Sequence, residues 1–325
     1  MCRIVVTGGA GFIGSHIVEY FEEMGEDIKP LTRRDADLRD IESVLDATRE
    51  VSCVIHNAAM ASDWGQYEDF YNNNVTGTLN VLKACVSNNI EHVIITGSCS
   101  VYGEEDCPYV KDENSPLHSH YTYSLDKVFP CAMNYYRDTK RIARELAIDF
   151  ARDNGLCLTI IDPVWVYGER ELHVFYEYLK TARAGIPFSM GSKKNKFHVI
   201  YVKELARAYY LAYKAKAEGC FIIGNKETAG MDEIFSLFCK EAGITKPRNL
   251  PKFLAYPAGL IMELLWTIFR AKTPPFLTRG RVNMFYDSAE YGVQKAKDVL
   301  GFESEYTLAD GIKKTIDWYK EMKYL

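Results

Sequence analysis

Thr7-Gly8-Gly9-Ala10-Gly11-Phe12-Ile13-Gly14 decides how the rest of the chain is read. An apolar strand candidate, Arg3–Val6, runs into it, and a helical pattern, Ile13–Met24, runs out of it. Two glycine frames fit at once, Gly9-x-Gly11-x-x-Gly14 and Gly8-x-x-Gly11-x-x-Gly14. Glycines at this spacing allow a tight turn, close approach of a pyrophosphate, and close packing of helix on strand. The unpaired amides at the helix start favour an anion. A glycine pattern alone is a weak signal, but its strand–turn–helix setting makes it specific. Gly8, Gly11, Phe12, Ile13 and Gly14 are therefore candidate dinucleotide-binding residues.

Outward from the turn, strand-like and helix-like stretches alternate. Strands are expected at Ile28–Thr32, Val51–His56, His92–Thr96 and Leu156–Ile161. Helices are expected at Ile41–Glu50, Asp69–Asn88 and Arg137–Asn154. Such alternation predicts an α/β fold, a doubly wound parallel sheet of Rossmann type with its crevice at the carboxyl ends of the strands. Beyond Pro163 the pattern loosens, with helices expected at Val174–Ala184, Lys203–Ala217, Met231–Ala242 and Leu308–Met322. We read 1–165 as the dinucleotide-binding domain and 166–325 as a smaller substrate lobe, partly interleaved with it.

Bulk properties narrow the class. Of 325 residues 47% are hydrophobic, enough for a sizeable core, and the net charge of −5 provides no global field for nucleic acid. Nine scattered cysteines without C-x-x-C spacing fit a reducing compartment. Met1–Val6 lacks signal-peptide character, and a cytoplasmic location is expected. His118 and His120, with Cys107 near in sequence, do not complete a ligand set, so no metal is expected. Phe253–Phe269 is strongly apolar but holds Pro257 and Glu263. It reads as a helix under the substrate lobe, or as a peripheral membrane contact through 253–270 aided by Arg270, Lys272, Arg279 and Arg281.

Two further stretches carry chemistry. After the second strand comes Thr32-Arg33-Arg34-Asp35-Ala36-Asp37-Leu38. An arginine there accepts the 2′-phosphate of NADP, whereas an acidic residue binds the ribose of NAD. Arg33 and Arg34 arrive first, which favours NADP, and Asp35 leaves NAD as the alternative. Tyr136 and Lys140 lie four apart, on one helix face. A neighbouring ammonium stabilises a phenolate, so the pair can exchange a proton with a carbonyl oxygen. Tyr123 and Lys127 share that spacing, but Pro130 would cut a helix begun there. Ser98, at the end of a strand, can hydrogen-bond the reacting oxygen, and Cys99 beside it reads as packing.

With these residues in hand, the chain resembles the extended short-chain dehydrogenases/reductases, the epimerase/dehydratase superfamily, over nearly its whole length. The glycine turn matches, as do His56-Asn57-Ala58-Ala59, Asn74-Val75-Thr76-Gly77-Thr78 and Pro163-Val164-Trp165-Val166-Tyr167-Gly168. The resemblance implies that Ser98, Tyr136 and Lys140 are catalytic, with Tyr136 and Lys140 also touching the cofactor. It implies that Asp37 and Leu38 lie near the adenine, that Ala58 and Ala59 line the cofactor site, and that Pro163 and Val164 cradle the nicotinamide. His198–Ala206, Pro274–Arg279, Lys295-Ala296, Leu300-Gly301-Phe302 and Trp318 are similar to the 3β-hydroxysteroid dehydrogenase-like branch and its bacterial ketone-reductase relatives. Three departures stand out: Asp162 where the family has arginine, an apparent insertion at Asp106–Pro130, and Lys196-Phe197 where sugar-nucleotide epimerases place an arginine.

The expected activity is thus NAD(P)-dependent interconversion of a hydroxyl and a ketone on an apolar, steroid- or polyketide-like small molecule. The other enzyme this pattern implies is a nucleotide-sugar epimerase or dehydratase that oxidises its substrate transiently. A cofactor-sensing binding protein would have no use for Tyr136 and Lys140. The resemblance also implies a homodimer paired through the Asp69–Asn88 and Arg137–Asn154 helices.

Overall fold

Strand β1 (Arg3–Thr7) places Ile4, Val5 and Val6 under cover on both faces, the mark of a central parallel strand. In the computed structural model, which describes residues 3–105, 109–271 and 273–325, it is flanked by β2 (Asp27–Leu31) and β3 (Cys53–His56). Strands β4 (His92–Thr96) and β5 (Cys157–Pro163) follow, and Gly219–Ile223 completes a six-stranded sheet. All pairings are parallel, in the order β2-β1-β3-β4-β5 and then Gly219–Ile223. The chain leaves β1 in one direction for β2 and returns to the other side for β3. That switch opens a crevice beyond the carboxyl ends of β1 and β3, where such sheets bind ligands. The register lines up Thr7 with His56, His56 with Ile95, and Thr96 with Ile161 along its floor.

The edge strand Gly219–Ile223 and the helix before it, Val202–Ala215, come from beyond residue 165. Ile200, Leu205 and Tyr209 pack into the same core as Ile4, Ile55 and Ile94. The helices Phe175–Arg183, Met231–Ala242 and Leu308–Glu321 gather around a second aromatic-rich core. Sequence reading missed the helices Arg279–Tyr286 and Gln294–Leu300, whose apolar periodicity is short.

Two expected helices differ in ways that matter to the site. The stretch read as Asp69–Asn88 is Tyr67–Phe70, a π-helical Tyr71–Thr76, and then Gly77–Ser87. Within the wide turn Asn74 is buried, its Oδ1 accepting from Met60 N at 2.7 Å and its Nδ2 donating to Thr139 Oγ1 at 3.1 Å. Tyr136 does not open the long helix. That helix runs Ala132–Asn154, so Tyr136 sits in its second turn. Pro130 precedes it, and Asp126 Oδ1 accepts from Cys131 N at 3.0 Å just ahead of the first turn. Gly155, at φ 64°, ends the helix in the left-handed conformation that suits glycine.

Candidate active site

The glycine turn is built as a cradle. Gly8 adopts φ +66°, and a Cβ there would stand 3.0 Å from the Ala58 Cα, so β1 and the loop after β3 meet backbone to backbone. A Cβ on Gly14 would fall 2.2 Å from the Gly8 carbonyl oxygen. Helix Phe12–Glu23 begins at Gly11, which has no side chain to cap the first-turn amides. Thr7 Oγ1 accepts from Ala58 N at 3.1 Å and meets His56 Nδ1 at 2.8 Å, fixing the floor between the two strands. Uncapped amides beside close-packed backbone fit a dinucleotide pyrophosphate. Ala58, partly buried, and Ala59, exposed, follow on the second wall.

At the end of β2 the two cofactor candidates part. The Asp35 carboxylate accepts from Thr32 N and Thr32 Oγ1, both at 2.7 Å, so it is turned into its own loop, and these bonds lower its pKa. Arg33 is exposed and reaches Asn73 Oδ1 at 3.4 Å, beside the π-helical turn. Asp37 is clasped by Arg39, with Nη2 donating at 2.7 Å and Nε at 2.9 Å, which holds its carboxyl down at about 2. The Leu38 carbonyl accepts from Asn80 Nδ2 at 2.9 Å, which ties this loop to the helix Gly77–Ser87.

The three catalytic candidates converge on the ends of β4 and β5. Ser98 is buried, accepts from Ser100 N at 3.2 Å, shares a 2.7 Å bond with Ser100 Oγ, and lies beside the Tyr136 hydroxyl. Burial pushes the Tyr136 phenol up to about 12, and the Ser98 contact works against that rise. Lys140 Nζ donates to the Thr96 carbonyl at 2.6 Å. Burial draws its ammonium down to about 8, with the Asp162 charge opposing. Lys140 thus keeps most of its charge at neutral pH while being partly desolvated. Pro163 ends β5, and Val164 N donates to the Ile223 carbonyl at 3.0 Å, so this pair is tied to the edge strand.

The rival pair is not assembled. Tyr123 is buried, its hydroxyl donating to Glu105 Oε1 at 2.5 Å and accepting from Arg137 Nη1 at 2.7 Å. Lys127 points into solvent. Much of the apparent insertion serves this cluster. Tyr121 stacks under Arg137, and Glu105 also takes a bond from Asn283 Nδ2 at 2.9 Å. His120 meets Asp138 Oδ2 at 2.7 Å, but no metal-binding group occurs among the described residues, and Cys107 lies outside them.

Asp162 is the group that sequence reading left unexplained. It is fully buried, and its Oδ1 accepts from Ser98 N at 3.0 Å. Its Oδ2 accepts from Tyr102 OH at 3.0 Å and from Arg144 Nη1. The family's arginine before proline is replaced by an acid whose cation comes from the long helix instead. Gly97 is required beneath it, since a Cβ would overlap Asp162 Oδ1 at 1.9 Å. The signal in the sequence was the departure itself, which left no partner visible 18 residues upstream. Cys99 is buried, and its thiol is pushed up well above the ordinary value, which suits packing. Cys99, Glu104, Trp165, Phe197, His198, Ala289 and Tyr291 line a small cavity.

The chain as a whole is similar to known proteins. The chain is 26% identical to a 2-alkyl-3-oxoalkanoate reductase of Stenotrophomonas maltophilia (strain K279a), over 96% of this chain and 98% of that protein. It is 28% identical to a 3beta-hydroxysteroid-dehydrogenase/decarboxylase isoform 2 of Arabidopsis thaliana, matching 98% of this chain and 62% of the longer plant protein. A solved structure of MoeE5 in complex with UDP-glucose and NAD superposes with a TM-score of 0.78 at 23% identity, covering 99% of both chains. The profile of one family matches residues 4–224, from the first strand through the edge strand of the sheet. The chain belongs to the NAD dependent epimerase/dehydratase family.

Proposed function

We propose that this protein is an NADP(H)-dependent oxidoreductase that interconverts a hydroxyl and a ketone on an apolar substrate. The observation that carries this reading is the convergence of Ser98, Tyr136 and Lys140 at the strand ends, and the apolar substrate rests on the likeness to a 2-alkyl-3-oxoalkanoate reductase and a 3beta-hydroxysteroid-dehydrogenase/decarboxylase. A nicotinamide cofactor held at Gly8–Gly14 would give or take the hydride. In reduction, Tyr136 passes its hydroxyl proton to the carbonyl oxygen, and Ser98 donates a hydrogen bond to the same oxygen. The phenolate left behind lies on the helix face that carries the Lys140 ammonium, which stabilises it. In oxidation the proton moves the other way. Arg33, exposed near Asn73, would take the 2′-phosphate of NADP, while Asp35 is engaged by Thr32. The family resemblance adds a homodimer to this proposal.

The second reading is a nucleotide-sugar epimerase or dehydratase, favoured by the family that the chain matches. Incubation with NADPH and a panel of apolar ketones, steroid ketones and UDP- or dTDP-sugars separates the two. Net NADPH consumption with an apolar ketone supports the reductase. Sugar conversion without net consumption overturns it in favour of the second reading.

A further inference from the structure

Helix Lys252–Ile268 buries only a narrow strip: Ala255, Gly259 and Glu263, spaced four apart. Gly259 lets backbone approach backbone, since a Cβ there would stand 3.0 Å from the Thr278 carbonyl carbon. Glu263 faces inward and takes charge-assisted bonds from Arg279, with Nη2 at 2.7 Å and Nε at 2.8 Å. A helix on a globular protein gives its opposite face to polar side chains. Here that face carries Leu254, Ile261, Leu265 and Ile268, all exposed. The four most exposed large apolar side chains among the described residues are Val128 at 87%, Phe269 at 76%, Phe253 at 73% and Ile268 at 70%. Phe253 and Ile268 lie at the two ends of this helix, and Phe269 caps it. Val128 belongs to a turn held against it. Ser124 N donates to the Tyr256 hydroxyl at 3.0 Å, and Arg279 Nη2 donates to the Phe129 carbonyl at 3.0 Å.

Charge selects what covers this face. The sequence from 252 to 281 holds Lys252, Arg270, Lys272, Arg279 and Arg281 against Glu263 alone, inside a chain of net charge −5. Arg279 is neutralised by Glu263, Arg281 by Asp63, and Lys252 by Asp287. Arg270 remains exposed at the end of the stripe and Lys127 beside Val128, and neither has a carboxylate partner among the described residues. Lys272 lies outside those residues. An apolar stripe with cations at its rim matches an anionic bilayer surface. A second copy docked face to face would bring the same cations together, which opposes pairing. No helix among the described residues is long and apolar enough to cross a membrane, so the contact is with one leaflet.

We infer that Lys252–Ile268 and the adjoining 124–129 turn form a peripheral docking surface for a bilayer containing anionic phospholipid. The helix lies in the plane of the interface with Leu254, Ile261, Leu265 and Ile268 immersed. This surface is independent of the reaction proposed above. Flotation of the purified full chain tests it, using vesicles of phosphatidylcholine alone and of phosphatidylcholine with phosphatidylserine. The chain should float with the anionic vesicles and at least about fivefold less with neutral ones or in high salt. A Phe253→Ser/Ile268→Ser/Phe269→Ser variant should stay at the bottom while keeping wild-type cofactor affinity and Tm. Val128→Ser should weaken flotation without abolishing it. Wild-type protein that fails to float with either vesicle overturns the inference. So does a triple variant that floats like wild type, or one that falls from dimer to monomer mass when wild type does not float.

Discussion

At the scale of single residues, burial decides which charges matter. Lys140 is buried and titrates at about 8 instead of the ordinary 10.5. The unfolded chain therefore holds more protons than the folded one between those values, and stability rises with pH across that window. Replacing the ammonium removes a desolvation cost and one hydrogen bond to Thr96. Lys140→Met should stabilise the cofactor-free protein by about 2 kcal/mol near neutral pH, and the gain should fade toward pH 10 and above. Urea unfolding at several pH values checks this, and a variant equally destabilised at every pH contradicts it. Asp162 sets the opposite case. Its partner Arg144 is buried with it, so Arg144→Met leaves a carboxylate unpaired in the core. That substitution should cost about 3–5 kcal/mol in equilibrium unfolding. A cost below about 1 kcal/mol would mean that the pair does not hold the Ser98 loop.

At the scale of elements, the glycine turn is the part most constrained by its own backbone. In Gly14→Ala, a Cβ 2.2 Å from the Gly8 carbonyl oxygen forces the turn and the helix Phe12–Glu23 apart. Cofactor affinity, followed by tryptophan fluorescence, should fall at least about tenfold, the effect of moving several amides off one pyrophosphate. Unchanged affinity would remove the turn from the cofactor site. This element was legible in the sequence because its glycines answer to local geometry, and five of the six parallel strands were legible as short apolar runs, whereas the edge strand Gly219–Ile223 was not. Met231–Ala242 was legible to the residue, since its apolar positions repeat with helical period and Gly243 ends it. What stayed hidden depends on distant partners. The π-helical turn at Tyr71–Thr76 goes with Asn74 reaching Met60 and Thr139. The early start of the helix Ala132–Asn154 follows from Pro130 and the Asp126 contact. The role of Asp162 needs Arg144 and Tyr102, which only the fold brings to it.

At the scale of the whole molecule, the second half of the chain returns to complete the sheet of the first half, so residues such as Ile200, Leu205 and Phe221 share the core of β1, β3 and β4 while the helices Phe175–Arg183, Met231–Ala242 and Leu308–Glu321 build a second one. The proposed dimer should scatter light as twice the 37.1 kDa chain, and a monomeric mass at micromolar concentration contradicts it. The cofactor preference belongs to this scale too, because Arg33 meets Asn73 only through the fold. NADPH should bind more tightly than NADH in parallel titrations, and Arg33→Ala should erase the difference; tighter binding of NADH would contradict the assignment. The central claim is that Tyr136, and not Tyr123, exchanges the proton with substrate. The most direct measurement is NADPH turnover with one active apolar ketone, compared across wild type, Tyr136→Phe and Tyr123→Phe. Turnover should fall by about 10²–10⁴ in Tyr136→Phe with cofactor binding intact, and stay near wild type in any Tyr123→Phe protein that remains folded. An active Tyr136→Phe beside a folded but inactive Tyr123→Phe would contradict that claim.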